Sequence, residues 1–248
     1  MRFYIGLHQP SDARHFERCF ISVNRLRTRK SSFVVRNWIL DSGAFTELQR
    51  FGHYREPPES YAAEINRWAG CGNFEGAFTQ DFMCEPFMLG RTGLSVKDHQ
   101  NLTIERFERI RSATSAAVFP VLQGYQPREY AEHLSMYGDR DLLKQGMRIG
   151  VGSLCKRNTS VQQVEDVLER IHELAPGLLL HGFGLKLTAL RSNNVRSKLY
   201  SADSMAWSFA ARRRGGDPND WRVARQFEEQ IAGQRIDFTP YQFDMFPD

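Results

Sequence analysis

Six short apolar runs in the sequence each end in a cluster of polar residues and glycines. In chain order, the clusters are Asp41-Ser42-Gly43-Ala44-Phe45, Gln80-Asp81-Phe82, Leu122-Gln123-Gly124-Tyr125, Gly150-Val151-Gly152-Ser153, His181-Gly182-Phe183-Gly184 and Ser201-Ala202-Asp203-Ser204. A carboxylate can act as a nucleophile, a general acid or base, or a hydrogen-bond acceptor. A glycine lets a backbone N–H come close to a ligand. Three acids, an amide and an imidazole therefore form a candidate site, provided that the fold brings the clusters together.

Each cluster also has a purely structural interpretation. The Asp41-Ser42-Gly43 segment has the composition of a tight turn, and Gln123-Gly124 can simply end a strand. Asp81 and Asp203 can each cap the helix that follows, and His181 can be a core histidine with satisfied hydrogen bonds. The functional interpretation depends on the joint pattern, because every cluster falls at the same end of consecutive apolar runs.

The elements that would position these clusters alternate between strands and helices. Predicted strands cover residues 3–7, 20–23, 38–41, 76–81, 117–123, 147–152, 178–183 and 198–203. Apolar residues at helical spacing lie between several of these runs. This alternation predicts parallel strands, and seven or eight units predict an α/β fold, a TIM-like (β/α)₈ barrel whose closure need not be regular. A doubly wound sheet is the alternative, although the sequence has neither a GxGxxG after the first strand nor a Walker A motif.

Length and composition favour one globular domain. The 248 residues, of which 41% are hydrophobic, suffice for a single barrel domain over 1–248 with a helical C-terminal extension from about residue 205. We expect no membrane span, because no run of about 18 apolar residues exists, and the N-terminus lacks the apolar region of a signal peptide. The four cysteines form no CxxC or CxxH pair, so we expect no disulfide framework, no metal site and a cytoplasmic location.

Positive charge is concentrated in two segments of the chain. Residues 1–36 and 186–225 each carry a net charge of +6, which leaves −8 on the rest of a chain whose total is +4. Two basic segments on an otherwise acidic chain predict contacts with a polyanion such as nucleic acid. Candidate phosphate contacts are Lys156, Arg157, Arg212, Arg213 and Arg214. The alternative is ordinary solvated surface charge.

The ordered set DSGAF, QDF, LQGY, GVGS, HGFG and SADS resembles the tRNA-guanine transglycosylase superfamily. The set spans residues 41–204, about two-thirds of the chain. Within the superfamily, the chain resembles the DpdA-like branch, the 7-deazaguanine DNA transglycosylases of bacterial modification islands and phages. The tRNA enzymes carry a Cys-x-Cys-x-x-Cys and His zinc site after their nucleophile, whereas here no cysteine follows Cys155. The resemblance therefore implies a barrel without a zinc subdomain.

The resemblance also implies a base exchange in DNA and assigns the catalytic acids. Asp203 corresponds to the nucleophile, which would displace guanine from C1′ of the sugar and form a covalent glycosyl-enzyme. The incoming 7-deazaguanine, such as preQ0, would attack the same carbon with net retention. Asp41 corresponds to the acid that moves protons on and off the base. Two nearby carboxylates can have pKa values driven apart by their mutual repulsion.

The remaining clusters correspond to the family's base-binding pocket. Asp81 would accept hydrogen bonds from N1–H and the exocyclic amine of guanine, and Gln123 would contact O6. Phe45 corresponds to the aromatic residue that stacks on the base, and His181 corresponds to the opposite wall, where a Met is usual. A backbone N–H near residues 150–152 would assist. The implied substrate-binding set also contains Ser42, Gly124, Gly150, Gly152 and Gly182.

Other functions remain open on the sequence alone. The protein could be an RNA transglycosylase, a non-catalytic nucleic-acid-binding subunit of such an enzyme, or an unrelated barrel hydrolase. All three Asp positions are present, which disfavours the non-catalytic subunit. A transglycosylase needs its target guanine flipped or single-stranded. Its partners would be DNA, the free base and any helper protein that opens the duplex, and no cofactor is expected.

Overall fold

Nine short parallel strands form the core of the molecule. A computed structural model describes residues 1–155, 157 and 160–233. Its strands are β1 (Arg2–Leu7), β2 (Arg18–Ser22), β3 (Asn37–Asp41), β4 (Asn73–Phe78), β5 (Val118–Phe119), β6 (Val121–Leu122), β7 (Arg148–Val151), β8 (Leu179–Gly182) and β9 (Ser201–Ser204). All pairs are parallel, in the order β5-β4-β3-β2-β1-β9-β8-β7-β6. The predicted α/β barrel is confirmed, and the sheet is not doubly wound.

The barrel closes through one interrupted strand. β5 and β6 are the two ends of the sheet, yet only Pro120 separates them along the chain. β5 pairs with β4, and β6 pairs with β7. Proline has no backbone N–H to donate to a ladder, although the Pro120 carbonyl accepts the Gly150 N–H at 2.9 Å. The interruption at Pro120 makes the closure of the barrel irregular, which agrees with the predicted TIM-like barrel whose closure need not be regular.

The described residues form ten α-helices around the sheet. They are α1 (Ala44–Phe51), α2 (Pro58–Trp68), α3 (Pro86–Thr92), α4 (Val96–Ser112), α5 (Pro127–Gly138), α6 (Val161–Leu174), α7 (Leu187–Leu190), α8 (Asn193–Lys198), α9 (Ala206–Arg213) and α10 (Trp221–Ala232). In the fully described segment 8–36, the connections after β1 and β2 contain 3-10 helices, Pro10–His15 and Val23–Arg25, and no α-helix. The first two β-strands of the barrel are therefore not followed by the α-helix that a regular β/α unit would have.

Helix α6 shows how the sequence pattern produces the outer layer. Ser160 caps the helix by accepting the Gln163 N–H. Its fully buried face consists of Val164, Val167, Leu168 and Ile171. Burial of each such side chain contributes roughly 1.5–3 kcal/mol relative to leaving it exposed. Helix α6 packs against α5 and α8, and its buried face belongs to the same hydrophobic core as Ile149 of β7 and Leu180 of β8.

Aromatic side chains and an ionic cluster fill the interior of the barrel. Tyr4, Phe20 and Phe78 belong to a buried cluster inside the sheet. Near the amino ends of the strands, Glu75 accepts a hydrogen bond from Tyr4 Oη at 2.8 Å and another from Arg148 Nη2 at 2.8 Å. Because the interior is packed, room for a ligand lies beyond the carboxyl ends of the strands, as is usual in barrels of this type.

The C-terminal extension predicted from about residue 205 contains α9 and α10. The Phe227 ring of α10 packs against Phe3 of β1, with ring centroids 6.2 Å apart. Helix α10 thus covers β1, where a crossover helix is missing. Residues 234–248 lie outside the described part of the chain. Among the described helices, none combines the length and the apolar character that a membrane span requires.

Candidate active site

A cavity of about 640 Å³ opens at the carboxyl ends of the strands. That volume is within the range of small-molecule sites. Asp41, Asp81, Gln123 and Asp203 all lie on its wall. The barrel therefore brings the three predicted acids and the predicted amide together, because the ends of parallel strands meet at one rim. Within the described ranges, no three His, Cys, Asp or Glu side chains come together in a way that could hold a metal ion.

Asp41 lies at the end of β3, and the following turn holds its carboxylate. The Gly43 N–H donates to Asp41 Oδ2 at 3.2 Å. Gly43 has a φ of 74°, a left-handed conformation that glycine adopts without strain. Burial and, second, the negative charge of Asp203 raise the pKa of Asp41 to about 6. The segment is thus a tight turn and part of the cavity wall, and its carboxyl group can give or take a proton near neutral pH.

Asp81 follows β4 and is 7% exposed. Its carboxylate accepts a hydrogen bond from Gln123 Nε2. Burial raises the pKa of Asp81 to about 7, although the Gln123 bond acts in the opposite direction. A ligand that donates hydrogen bonds to this group would favour its ionised form.

A chain of hydrogen bonds fixes the orientation of the Gln123 amide. Cys84 N–H donates to Ser153 Oγ at 3.2 Å, and Ser153 Oγ donates to Gln123 Oε1 at 2.9 Å. Asp81 takes one of the two N–H groups of the amide, which leaves the second for a ligand. Gly152 makes room for this arrangement, because a Cβ there would lie 2.0 Å from Gln123 Nε2.

Two buried helix residues support the Gln123 backbone, and the sequence analysis did not identify them. Gln100 Nε2 of α4 donates to the Gln123 carbonyl at 2.8 Å, and the Gln123 N–H donates to His133 Nδ1 of α5 at 2.9 Å. Burial lowers the pKa of His133 to about 3, so the ring stays neutral and Nδ1 can accept. Both are polar residues on buried helix faces, and a residue of that kind requires a hydrogen-bond partner. That signal could have found them.

Asp203 at the end of β9 is anchored through one carboxylate oxygen. The residue is 5% exposed. Its Oδ1 accepts the Gly184 N–H at 3.0 Å and lies 3.3 Å from His181 Nε2. Among the residues that the structure describes, none makes a hydrogen bond to Oδ2. The second oxygen is therefore available to a ligand in the cavity.

His181 lies beneath the cavity and not on its wall. The fully buried ring is 5.3 Å from the Phe20 ring and 4.7 Å from the Phe78 ring, centroid to centroid. Its Nδ1 is 2.9 Å from Ser201 Oγ. Because a carboxylate only accepts, Nε2 carries the proton and donates to Asp203, and Ser201 donates to Nδ1. Burial lowers the pKa of His181, which favours this neutral ring, and the contact positions Asp203.

The other members of the predicted substrate-binding set fall into two groups. Ser42 and Phe45 lie on the cavity wall, Phe45 in the first turn of α1. Gly124, Gly150 and Gly182 do not contribute to that wall. A Cβ at Gly150 would come within 2.5 Å of an aromatic ring, and a Cβ at Gly182 within 2.9 Å of a leucine. Gly150 thus makes room for rings inside the barrel, whereas Gly124 and Gly182 make room for side chains packed outside the sheet.

Two arginines that the sequence analysis did not single out, Arg25 and Arg50, lie on the cavity wall. Arg25 Nη2 donates to His8 Nδ1 at 2.8 Å. His8 Nε2 therefore carries the proton and donates to Ser208 Oγ of α9 at 2.7 Å. This bridge joins the cavity wall to α9, whose exposed end contains Arg212.

The predicted phosphate-binding residues have different environments. Residues 212–214 are all exposed, and Arg214 also lines a separate hollow between α9 and α10. Arg157 is 5% exposed, and its guanidinium lies 4.3 Å from the centroid of the Tyr125 ring. It is therefore placed inside the protein and not at the surface. Lys156 is outside the described residues.

Comparison with known proteins gives a match to a protein family. The family model described as DpdA, DeoxyPurine in DNA protein A, matches residues 1–221. That range contains all nine strands and every acid and amide of the cavity wall. No curated protein matches the chain. On the extent of the family match, the chain belongs to the DpdA family.

Proposed function

We propose that this protein exchanges guanine in DNA for a 7-deazaguanine such as preQ0, through a covalent intermediate on Asp203. Membership of the DpdA family supports a transglycosylase that acts on DNA. The observation that carries the proposal is the convergence of Asp41, Asp81, Gln123 and Asp203 on one cavity. Asp81 and Gln123 would recognise the base, and the other two residues would perform the chemistry.

Asp81 and Gln123 match the hydrogen-bonding edge of guanine. The Asp81 carboxylate would accept N1–H and the exocyclic amine, and the second N–H of Gln123 would donate to O6. A 7-deazaguanine such as preQ0 has the same edge, so the two side chains serve the leaving base and the incoming base alike. A buried donor left without a partner costs about 1–3 kcal/mol, which disfavours bases with another donor pattern.

Asp203 would be the nucleophile. Its Oδ2 forms a bond to C1′ as the C1′–N9 bond breaks, and the electron pair of that bond leaves with guanine, which takes a proton from Asp41. The incoming base then gives its N9 proton to the ionised Asp41 and attacks C1′, and Asp203 leaves as a carboxylate. Two inversions give net retention, as in retaining glycosidases, and Asp41 ends with the proton it began with.

The geometry of the two carboxylates suits these roles. The contacts of Asp203 Oδ1 with Gly184 N–H and His181 Nε2 hold one oxygen, so that the other is oriented for attack. A pKa of about 6 at Asp41 lets the same group act as an acid in the first step and as a base in the second.

The DNA must present an extruded or unpaired nucleotide to this cavity. Flipping a base out of a duplex costs a few kcal/mol. Arg25 and Arg50 on the cavity wall, with Arg212 on the neighbouring helix, would offset that cost through phosphate contacts.

The test is incubation of the protein with DNA and labelled guanine, preQ0 or preQ1, followed by digestion and mass spectrometry of the nucleosides. We expect label in DNA and an equal amount of released guanine. RNA of the same sequence is the control substrate. Release of guanine without incorporation would identify a hydrolase, and incorporation into RNA alone would identify an RNA enzyme; either result contradicts the proposal.

A further inference from the structure

A second hollow of about 360 Å³ adjoins the cavity. Its wall consists of Phe45, Gln49, Glu85, Pro86, Phe87 and Tyr125. Phe45 and Glu85 belong to the walls of both spaces. A polymer bound in the cavity therefore has a continuous path past Phe45 into the hollow.

The hollow presents aromatic rings to solvent. Phe87 is 46% exposed and Phe45 is 39% exposed, and their ring centroids are 6.5 Å apart. Exposed apolar side chains that cluster beside a cavity are typical of binding surfaces. The third ring, Tyr125, is covered on one side by the Arg157 guanidinium, whose Nε also donates to Ser153 O at 3.2 Å. That contact holds the Tyr125 ring in place before any ligand binds.

The supports of these rings are rigid. Phe45 is the second residue of α1, and Phe87 is the second residue of α3. The two helices pack together through a buried apolar cluster that includes Ala44, Leu48 and Met88. A ligand would therefore meet aromatic faces whose positions are set by the core, which lowers the entropy lost on binding.

A basic residue, Arg91, lies on the same helix as Phe87, outside the wall of the hollow, on which Glu85 is the charged residue. Arg91 stands four residues after Phe87, so the two residues share a face of α3. Its Nη2 donates to the Arg50 carbonyl at 2.6 Å, and Arg50 is on the wall of the main cavity. Aromatic faces combined with basic residues along one path are the features by which proteins bind single-stranded nucleic acid.

We propose that this hollow binds the unpaired base adjacent to the target guanine on the same DNA strand, by stacking on Phe87 and Tyr125. The inference rests on the proposed function in one respect, which is that DNA occupies the main cavity. The hollow would then hold the strand in register and make the protein sensitive to the base beside its target.

The test uses the full chain and single-stranded oligonucleotides with one guanine and 2-aminopurine on one side of it or the other. Stacking quenches 2-aminopurine, so the wild type should quench the probe on one side. Phe87→Ala should abolish that quenching and weaken binding about 5- to 150-fold, the range expected for loss of one stacked base. Phe87→Trp should retain both properties. Leu174→Ala is the matched control, because it removes an apolar side chain that is 47% exposed at the end of α6, outside both basic segments of the chain, and it should change neither.

Unchanged quenching and affinity in Phe87→Ala, or no quenching by the wild type, would overturn the proposal. The rings would then be a surface for another occupant, such as a protein. Base exchange is measured on the same samples to separate the two proposals. If base exchange occurs and Phe87→Ala does not change the quenching, the base-binding role of the hollow is rejected and the base-exchange function is retained. Loss of quenching in the variant, with exchange absent from every sample, rejects the base-exchange function and retains the hollow as a base-binding site.

Discussion

Replacing Asp81 by Asn should stabilise the fold and remove guanine recognition. Asp81 is 7% exposed, and burial raises its pKa from the ordinary value of 3.8 to about 7. Below pH 3.8 the carboxyl group is protonated in the folded and unfolded chains alike. As the pH rises from 3.8 to 7, the unfolded chain ionises and the folded chain does not, so the wild type loses stability over this range. Asn does not ionise, and its side-chain oxygen can still accept the Gln123 N–H.

The size of the effect follows from the two pKa values. A difference of about three corresponds to roughly 4 kcal/mol at about 1.36 kcal/mol for each pH unit. We therefore expect the free energy of unfolding of Asp81→Asn to exceed that of the wild type by roughly 4 kcal/mol at pH 8, and by only about 0.6 kcal/mol at pH 4. Guanine affinity of the wild type should rise about tenfold from pH 6 to pH 8, as the ionised fraction of Asp81 rises from about a tenth to about nine tenths. The variant should lack that rise.

Urea unfolding at pH 4, 6 and 8 measures the stability, and calorimetry with free guanine measures the affinity. Asp166→Asn is the matched control, because Asp166 is exposed on α6 and bonded only to Gln162 among the described residues. It should change neither quantity. The reasoning would be refuted if Asp81→Asn and the wild type were equally stable at pH 8, or if their difference were the same at all three pH values.

Three further predictions concern the chemistry, the pocket and the DNA contacts. Asp203→Asn should abolish base exchange in the mass-spectrometric assay without loss of DNA binding; a covalent DNA adduct on the variant would contradict the assignment. Gly152→Ala should weaken guanine binding about tenfold or more by calorimetry, because its Cβ would lie 2.0 Å from Gln123 Nε2; Gly138→Ala, which meets no atom within 4 Å, should not. Changing Arg212–Arg214 to Ala should flatten the slope of log affinity against log salt by about 0.7–0.9 per lost phosphate contact, as measured by anisotropy. An unchanged slope would move the DNA contacts to residues 1–36.

Local patterns in the sequence were sufficient to predict the barrel and three of the four described acids on the wall of its cavity; the fourth, Glu85, was not predicted. Each of the eight predicted strands overlaps an observed one, and the segment 117–123 is seen as two halves because Pro120 cannot donate to the ladder. Consecutive parallel strands present their carboxyl ends at one rim. The convergence of Asp41, Asp81 and Asp203 on one cavity could therefore be derived before any coordinates were known.

Whether an individual side chain is buried or lies on the cavity wall could not be predicted in the same way. His181 ends a strand like the acids do, yet its ring points into the barrel against Phe78, whereas Phe183, two residues later, reaches the cavity wall. Arg157 follows a strand end, yet it is covered by Tyr125. In both cases the burial of the side chain depends on how residues from distant segments of the chain pack around it, and local sequence patterns do not report that packing.

The pairing of the first strand with the last has a consequence for the newly made chain. Tyr4 of β1 lies opposite Asp203 of β9, so about 200 residues must be synthesised before the two strands can meet. Contacts of such long sequence separation form late in folding, and synthesis from the N-terminus makes the delay unavoidable. A chain still on the ribosome carries Asp41, Asp81 and Gln123 before it carries Asp203. The proposed base-binding residues are thus synthesised before the proposed nucleophile, which lies on the last strand of the barrel to be made.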